Sequence, residues 1–315
     1  MTDQPTTENT STGAFLHPRY WATWAGIGAL RLLSWLPIRI LFGIGKVLGK
    51  GLHLILPGRR RIATVNIERC FPTFSSREVA TIVRESFEVI ATVAITTGIS
   101  WWASRNRISH LVHLHDAHHF TDALSEGRSV ILLAPHFSAA ATISSYLGTI
   151  GPSVSIYQRI NNRLLDILML KGRQRFGIRL FERKSSMREV IRALKNGEFL
   201  YYLPDQDPGP RRAVFAPFFD IPTASWPVLG RITSMTNAVV IPCFCSLNRD
   251  RGGYDITFDT PLDNFPGDNP VADATRMNQV IESAIRAMPS QYFWVHKRFK
   301  TRPPGEDDFY RRMTP

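Results

Sequence analysis

Hydrophobic and polar positions divide this chain into stretches with different periodicities. Residues 1–13 are rich in Thr, Ser, Asn and Gln and nearly without apolar side chains, which predicts a disordered tail. This tail lacks a basic run followed directly by an apolar core, so a signal peptide is not expected. Residues 21–56 are predominantly apolar, and from residue 66 onwards amphipathic stretches give way to short apolar runs.

The apolar stretch over 21–56 contains cations at short intervals. They are Arg31, Arg39, Lys46 and Lys50. The uncharged runs between them are shorter than the ~20 residues that a helix needs to cross a bilayer core. This pattern favours helices that lie in the membrane interface, or a strained single span whose arginines snorkel. Three arginines at 59–61 would then face anionic head groups. The alternative is an ordinary amphipathic helix pair that covers the core.

Residues 66–104 approximate the period of an amphipathic helix, with a start signal at Ser75 and Glu78. Further along, strands are predicted at 130–134, 153–157, 199–203, 238–244 and 254–258, and helices at 139–147, 161–176, 187–195 and 272–287. Short apolar strands separated by helices predict an α/β fold, with a mixed, mainly parallel sheet flanked by helices. The sequence contains no visible repeat and no glycine-rich nucleotide loop.

Composition adds a strong positive charge. The 44% hydrophobic content is ordinary for a globular chain of 315 residues, but 38 Lys and Arg against 26 Asp and Glu leave a net charge of +12. Such a chain is attracted to polyanions, which include nucleic acid, an anionic membrane face, and an acidic carrier or phosphorylated substrate. Cys70, Cys243 and Cys245 have neither disulfide nor zinc-site spacing, and they indicate a reducing compartment.

His136 is the first of four candidates for chemistry. It follows an apolar run at 131–134, where a buried strand would give way to an Ala/Ser-rich helix. An imidazole in this position can act as a general base, and the amides at the start of the helix are available to an oxyanion or a phosphate. A histidine beside an apolar strand is also commonly a structural group, and the residue types alone leave both interpretations open.

A basic stretch over 159–195 is the second candidate, with eleven Lys and Arg against three acidic residues. A solvated helix face explains most of these cations. Arg159, just past a predicted strand, and Arg173 and Arg175, in a Gly-Arg-Gln-Arg sequence, are better placed to clamp a phosphate.

The third and fourth candidates follow later strands. Asp205 and Asp207 leave a strand end into a Pro/Gly loop, where sheet enzymes commonly keep site residues, although a structural turn with Asp caps has the same pattern. Residues 291–303 interleave aromatic and basic side chains, Arg298 among them, and could bind anionic lipid or an acidic carrier, or form only a solvated basic edge. No recognition module for nucleic acid accompanies them, so nucleic acid is not expected as a partner.

Four segments, taken together and in order, resemble the late (lauroyl- and myristoyl-type) acyltransferases of lipid A biosynthesis, within the lysophospholipid acyltransferase-like superfamily. They are LLAPHF (132–137), PDQDPG (204–209), VFAPFF (214–219) and WVHKRFKTRP (294–303). The resemblance extends over nearly the whole chain. It implies a glycerolipid-acyltransferase-like fold, with a membrane-associated helical segment at 14–62 and an acyltransferase domain at 63–315.

The resemblance also implies a function on the cytoplasmic face of the inner membrane. The enzyme would move a fatty acyl chain from acyl carrier protein to a hydroxyl of a Kdo-modified lipid A precursor, with the carrier thioester as donor and without cofactor or metal. In this family a histidine, here His136, removes the hydroxyl proton, and an acid five residues later orients it. Arg159, Arg173 and Arg175 would hold phosphate or the phosphopantetheine of the carrier, and Arg298 is a further candidate for substrate binding.

The acid of that motif is missing, because its position is Ala141. Three interpretations follow: another carboxylate, Asp205 or Asp207, takes over; His136 works slowly alone; or the chain is a lipid-binding paralogue without activity. An acyltransferase with another glycolipid or aminolipid acceptor and a membrane-associated scaffold are further alternatives. A carboxylate within hydrogen-bond reach of the His136 ring would favour the first interpretation.

Overall fold

The computed structural model describes residues 15–183 and 187–311, and the tail predicted at 1–13 lies outside them. Within the described residues the helices are α1 (Trp21–Leu33), α2 (Ile38–Ile55), α3 (Pro57–Cys70), α4 (Ser76–Trp102), α5 (Arg105–Leu111), α6 (His118–Ser125), α7 (Ala140–Leu147), α8 (Arg163–Gln174), α9 (Met187–Lys195), α10 (Val228–Thr236) and α11 (Pro270–Ala287). The strands are β1 (Val112–His115), β2 (Val130–Leu133), β3 (Ser153–Tyr157), β4 (Ile178–Glu182), β5 (Phe199–Tyr202), β6 (Val214–Phe218), β7 (Ile221–Ser225), β8 (Val239–Asn248) and β9 (Gly253–Phe258).

Seven of these strands form one sheet in the order β1-β9-β8-β2-β5-β3-β4. Neighbouring strands are parallel except β8 and β9, which are antiparallel and consecutive in the chain. Strands β6 and β7 form a separate antiparallel hairpin. The predicted α/β fold, with a mixed, mainly parallel sheet flanked by helices, is therefore confirmed.

The predicted strands correspond to β2, β3, β5, β8 and β9, whereas β1, β4, β6 and β7 were not predicted. Strands β1 and β4 lie at the two edges of the sheet, and each presents polar side chains such as His115 and Arg179 among its apolar ones. They therefore lack the continuous apolar run of a central strand. The helical region predicted at 66–104 is interrupted between α3 and α4, and α4 begins with a capping box in which Ser75 and Glu78 satisfy each other's backbone amides.

Helices cover both faces of the sheet. In β2, Ile131 and Leu133 contribute to one buried cluster, whereas Val130 and Leu132 contribute to another, because successive side chains of a strand point to opposite faces. The first cluster includes side chains from α3, α9, α10 and α11, and the second includes side chains from α5, α6 and α7. Helix α4 is long enough to contribute to both, so it ties the two layers together.

Helix α2 packs closely along α4 through two glycines. A Cβ atom at Gly45 would lie 2.3 Å from Oγ1 of Thr92, and one at Gly49 would lie 2.4 Å from Cα of Glu88. Neither position has space for a side chain. The outer surfaces of α1 and α2 carry large apolar residues that are 62–71% exposed, namely Trp21, Leu32, Val47, Leu54 and Ile55; Trp35, between the two helices, is 63% exposed.

Among the described residues, no single helix has the length and apolar composition needed to cross a membrane; α2 and α3 pass that test only as a pair, with a bend of 95° between them. The division of the chain at residue 62 stays a prediction, and residue 62 lies within α3.

Candidate active site

The centre of the site lies where two parallel neighbours in the sheet end. Strands β2 and β5 pair in register, with Leu133 opposite Tyr202. His136 follows Leu133 by three residues, and Asp205 follows Tyr202 by the same interval. Because the two strands run in the same direction, the equal intervals bring these side chains together at the carboxyl edge of the sheet, where α/β folds commonly bind their ligands.

Asp205 holds His136 at two points. The ring nitrogen Nδ1 of His136 lies 2.5 Å from Oδ1 of Asp205, and the backbone N–H of His136 donates to Oδ2 over 2.9 Å. Since a carboxylate accepts this bond, Nδ1 carries the proton and Nε2 presents a lone pair. The Asp205 side chain is fully buried, whereas the His136 side chain is 31% exposed. The imidazole is thus fixed through Nδ1, while the rest of the ring remains accessible.

The acidity of Asp205 reflects a competition between burial and hydrogen bonding. Burial alone would raise the pKa of this carboxyl, but the charge that His136 carries when protonated and its two hydrogen bonds, helped by the Arg298 guanidinium, hold the pKa below its ordinary value. Asp205 is therefore a carboxylate at neutral pH, suited to orient an imidazole and to stabilise its protonated form.

The C-terminal segment closes the site from the other side. The backbone N–H of Phe293 donates to the His136 carbonyl over 3.1 Å, and that of Ser138 donates to the Gln291 carbonyl over 2.9 Å. Between them, Phe137 and Tyr292 form an antiparallel bridge. Strand-like pairing thus fixes the loop that carries His136.

Tyr292 is a site residue that sequence reasoning missed. Its phenol is buried beside Asp205, and burial, then the Asp205 charge, raises the pKa of Tyr292 well above its ordinary range. The hydroxyl stays neutral and remains a hydrogen-bond donor. The residue stands in the aromatic and basic stretch 291–303, and the composition of that stretch alone does not separate a buried tyrosine from an exposed one.

Ala141 lies on the first turn of α7 and is exposed. It carries no polar atom that could reach the imidazole, so the acid of the expected motif has no substitute at this position. The ring of His136 instead meets the carboxylate of Asp205, which comes from a different strand.

Asp207, the other carboxylate nominated from the sequence, is separate from His136. Its oxygens accept from the Gly209 N–H over 2.7 Å, and from the N–H and hydroxyl of Thr301 over 2.7 and 2.9 Å. Asp207 thus connects the loop after β5 to the C-terminal segment. It organises the surroundings of the site rather than the imidazole.

The four nominated arginines have different environments. Arg173 on α8 has no hydrogen-bond or ion-pair partner among the described residues, and burial lowers the pKa of its guanidinium, which lies near the Tyr201 phenol. A guanidinium without an internal anion is available to an anionic ligand. Arg159, just past β3, is largely exposed and pairs with Glu182 at 3.3 Å, and the charge of Glu182 raises the Arg159 pKa.

The guanidiniums of Arg175 and Arg298 donate hydrogen bonds to other groups of the protein. Arg175 donates to the carbonyls of Ser100 and Ala103, at the C-terminal end of α4, over 3.3 and 2.9 Å. Arg298 is 2% exposed and donates to the Ala224 carbonyl over 2.6 Å and to the Ser225 hydroxyl over 3.2 Å. Both guanidiniums support the fold around the site, and Arg298 adds positive charge near Asp205.

This arrangement can remove a proton from a hydroxyl group. An imidazole whose Nδ1–H is held by a buried carboxylate presents the lone pair of Nε2 when it is neutral, and this is the geometry of a general base. Within residues 15–183 and 187–311, no group of three or more His, Cys, Asp or Glu side chains is placed to hold a metal ion.

Comparisons with known proteins identify the family of this chain. Residues 9–301 match the family model described as bacterial lipid A biosynthesis acyltransferase. The chain is 34% identical to the lipid A biosynthesis lauroyltransferase of Escherichia coli K12, over 94% of this chain and 97% of that enzyme. It is 32% identical to the palmitoleoyltransferase and 29% identical to the myristoyltransferase of the same organism, again over more than 90% of each chain. The chain is therefore an acyltransferase that belongs to the bacterial lipid A biosynthesis acyltransferase family.

Proposed function

We propose that this enzyme transfers a fatty acyl chain from acyl carrier protein to a hydroxyl of an acyl chain on a Kdo-modified lipid A precursor. His136 is the general base, and Asp205 is the acid that orients it. The observation that carries this proposal is the contact between His136 Nδ1 and the buried Asp205 carboxylate. It favours the interpretation in which a different carboxylate replaces the acid missing at Ala141.

The reaction follows from the protonation states of the pair. Nε2 of His136 takes the proton of the acceptor hydroxyl while its oxygen attacks the thioester carbonyl carbon. The carbon–sulfur bond then breaks, and the imidazolium returns the proton to the leaving thiolate of the carrier. The products are an ester and a free carrier thiol. Asp205 stays ionised throughout and stabilises the imidazolium between the two proton transfers.

Arg173 and Arg159 are the residues we expect to meet the anionic parts of the substrates. Arg173 has no competing internal anion among the described residues, and Arg159 is exposed at the same edge of the sheet as His136. A phosphate of the lipid or of the carrier's phosphopantetheine suits their guanidiniums. Arg175 and Arg298, whose donors are engaged internally, contribute to substrate binding only indirectly in this proposal.

Attachment to the cytoplasmic face of the inner membrane is part of the same proposal. Exposed apolar side chains on α1 and α2 and the cations between them support an interfacial orientation. Helix α3, which follows this surface, donates from Arg59 to the Val295 carbonyl and from the Asn66 amide to the Trp294 carbonyl. The apolar surface is therefore connected directly to the segment that closes the site, and a lipid acceptor could approach from the membrane.

The test uses purified full-length protein, acyl-loaded carrier protein and a Kdo-modified lipid A precursor. We expect ester formation with stoichiometric release of free carrier thiol in the wild type, and no ester with His136→Ala. Lys195→Ala, a change at the exposed C-terminal end of α9, serves as the matched control and should keep wild-type turnover.

Three outcomes would contradict the proposal. Tight lipid binding without consumption of the thioester would favour a lipid-binding paralogue. Turnover that survives His136→Ala would exclude this histidine as the base. Acylation only of an ornithine lipid, a lysophospholipid or another glycolipid from a parallel panel would keep the chemistry and replace the acceptor.

A further inference from the structure

A second histidine, His296, lies in the segment that closes over His136. Its backbone is fixed from α3, because the buried amide of Asn66 donates to the carbonyls of Trp294 over 2.7 Å and of His296 over 2.9 Å. Three residues earlier, Phe293 donates to the carbonyl of His136. The position of His296 relative to the loop of the catalytic pair is thus set by backbone hydrogen bonds rather than by a free surface loop.

The His296 imidazole is surrounded by charged groups of the site. Burial lowers its pKa most, and the charge of His136, when protonated, lowers it further; the Asp205 carboxylate opposes this, and Arg298 and Asp207 have smaller effects in opposite directions. The net result is a pKa below that of an ordinary histidine. His296 therefore stays neutral at pH 7, and a neutral imidazole has one N–H donor and one acceptor nitrogen.

The two ring nitrogens of His296 have unequal surroundings. Nε2 is sealed from solvent and has no hydrogen-bond partner among the described residues. A buried N–H without a partner costs about 1–3 kcal/mol, and orphaned N–H groups are rarer in proteins than orphaned acceptors. The favoured tautomer therefore keeps the proton on Nδ1, and Nδ1 is the nitrogen through which the ring can reach a ligand.

We propose that His296 is a second catalytic histidine, whose Nδ1–H donates a hydrogen bond to the thioester carbonyl oxygen as that oxygen becomes negatively charged. This inference rests on the proposed function, because it needs an acyl thioester attacked beside His136. The two histidines then have complementary roles. His136 accepts and returns the proton, and His296 stabilises the oxyanion without changing its own protonation.

The structure explains why the roles would not exchange. Protonation of His296 would put a second N–H on Nε2, in a sealed position without an acceptor among the described residues, near the positive charge of Arg298 and, after proton transfer, that of His136. His136 has a carboxylate on Nδ1 that stabilises its protonated form. A neutral imidazole donor to a developing oxyanion is an established device of enzymes. Removal of one such donor typically costs about 10²–10³-fold in kcat.

Three substitutions at His296 distinguish a hydrogen-bond donor from a side chain that only fills space. In His296→Asn the amide nitrogen can occupy the position of Nδ1, whereas in His296→Gln it reaches the position of Nε2. We expect kcat to fall about 10²–10³-fold in His296→Ala and His296→Gln, and substantially less in His296→Asn. KM should change little, because the bond strengthens in the transition state. Lys195→Ala, at the exposed C-terminal end of α9, is again the control and should leave kcat unchanged.

Kinetics alone could overturn the inference in two ways. The first is a His296→Ala enzyme with kcat within a few-fold of wild type. The second is a His296→Asn enzyme as slow as His296→Ala although both melt at the wild-type temperature. Loss of function in His296 variants that melt early would point to a packing role. Failure of the proposed function itself has a different signature, since wild type would then lack transfer or His136→Ala would retain it.

A measurement without substrate tests the same inference independently. Nitrogen-15 NMR of histidine-labelled protein distinguishes the two neutral tautomers and the cation. We expect the His296 signals of the Nδ1–H tautomer at pH 7, with protonation only below the pH at which an ordinary histidine titrates. The Nε2–H tautomer, or a His296 cation at pH 7, would overturn the proposal whatever the activity of the enzyme.

Discussion

At the residue scale, Asp205 has two partners that belong to one histidine. One carboxylate oxygen holds the imidazole and the other holds the backbone N–H of the same residue. A single buried side chain therefore fixes both the orientation of the base and the start of the loop that carries it. The acid expected at position 141 of α7 is described in the family motif only as orienting the imidazole.

The first prediction concerns the charge of Asp205. Asp205→Asn keeps the size of the side chain but removes the negative charge that stabilises the imidazolium, and it can change the tautomer of His136. We expect kcat to fall by about 10⁴-fold, as for the orienting acid of a related catalytic triad. Asp207→Asn, which alters a carboxylate bound to Thr301 and Gly209 instead, should cost far less in the same steady-state assay. Equal losses in the two variants would show that Asp205 has no special role.

The second prediction concerns the position where the family's acid is expected. Because the Nδ1–H of His136 is already engaged by Asp205, the neutral imidazole has no second N–H from which a carboxylate introduced by Ala141→Glu could accept a hydrogen bond. We expect kcat of Ala141→Glu to equal or fall below that of wild type in the carrier-dependent assay. A large gain, or activity that appears only in this variant, would identify the natural chain as catalytically degenerate.

The third prediction follows from the depressed pKa of Asp205. A carboxyl whose pKa is lower in the folded than in the unfolded protein contributes stability above its unfolded value, about 3.9, and that stability is lost as the pH falls through the folded value. Wild type should therefore exceed Asp205→Asn in free energy of unfolding at pH 7, and the difference should shrink below about pH 4. Urea titrations across this range would measure it, and a constant difference would contradict it.

At the scale of elements, the contact between α2 and α4 depends on the absence of two side chains. Gly45 and Gly49 allow the helices to approach until an added Cβ would overlap with the backbone or side chain of α4. This contact holds the exposed apolar surface of α2 against the helix that ties both layers of the core together. The contact therefore sets how that surface is oriented relative to the sheet.

A matched pair of glycine substitutions tests this contact. Gly49→Ala places a methyl group 2.4 Å from Cα of Glu88, whereas Gly51→Ala, on the same helix, adds a methyl group with no atom within 4 Å apart from its own helix backbone. We expect the first to destabilise the protein by about 1–3 kcal/mol through overpacking. The second should be neutral or stabilising by up to about 1 kcal/mol, since alanine is the better helix former. Equal melting temperatures for the two variants would contradict the packing argument.

At the scale of the whole molecule, an exposed apolar surface and the catalytic pair are connected through few elements. Helices α1 and α2 carry the apolar surface, α3 continues from α2, and α3 hydrogen-bonds the segment that pairs with the His136 loop. Under the proposed function, this connection would let the acceptor hydroxyl reach the base from the membrane surface.

Vesicle binding tests the role of this surface. The double variant Leu54→Asn with Ile55→Asn removes two side chains that are 69% and 70% exposed at the end of α2. Loss of their burial in lipid should weaken binding to anionic vesicles by about tenfold or more. Val271→Asn, which changes an apolar residue that is 45% exposed on α11, is the control and should bind as wild type does. Equal binding by all three proteins would exclude the end of α2 from the membrane contact.

Local patterns in the sequence determined much of this protein. The apolar runs that became β2, β3, β5, β8 and β9, the capped start of α4, and the exposed apolar character of α1 and α2 each depend on residues close together in the chain. The four family segments likewise pointed to the correct family. The edge strands β1 and β4 could not be predicted, because the sequence pattern of a half-polar strand does not differ from that of a loop.

Only the tertiary structure decided which acid serves His136. Asp205 and Asp207 have the same residue type and nearly the same position in the sequence, yet only Asp205 meets the imidazole, across 69 residues of chain. The parallel register of β2 and β5 brings His136 and Asp205 together, and that register depends on the packing of the whole sheet. The same holds for Tyr292, His296 and the arginines, because burial and available partners are properties of the folded molecule, and residue type alone cannot encode them.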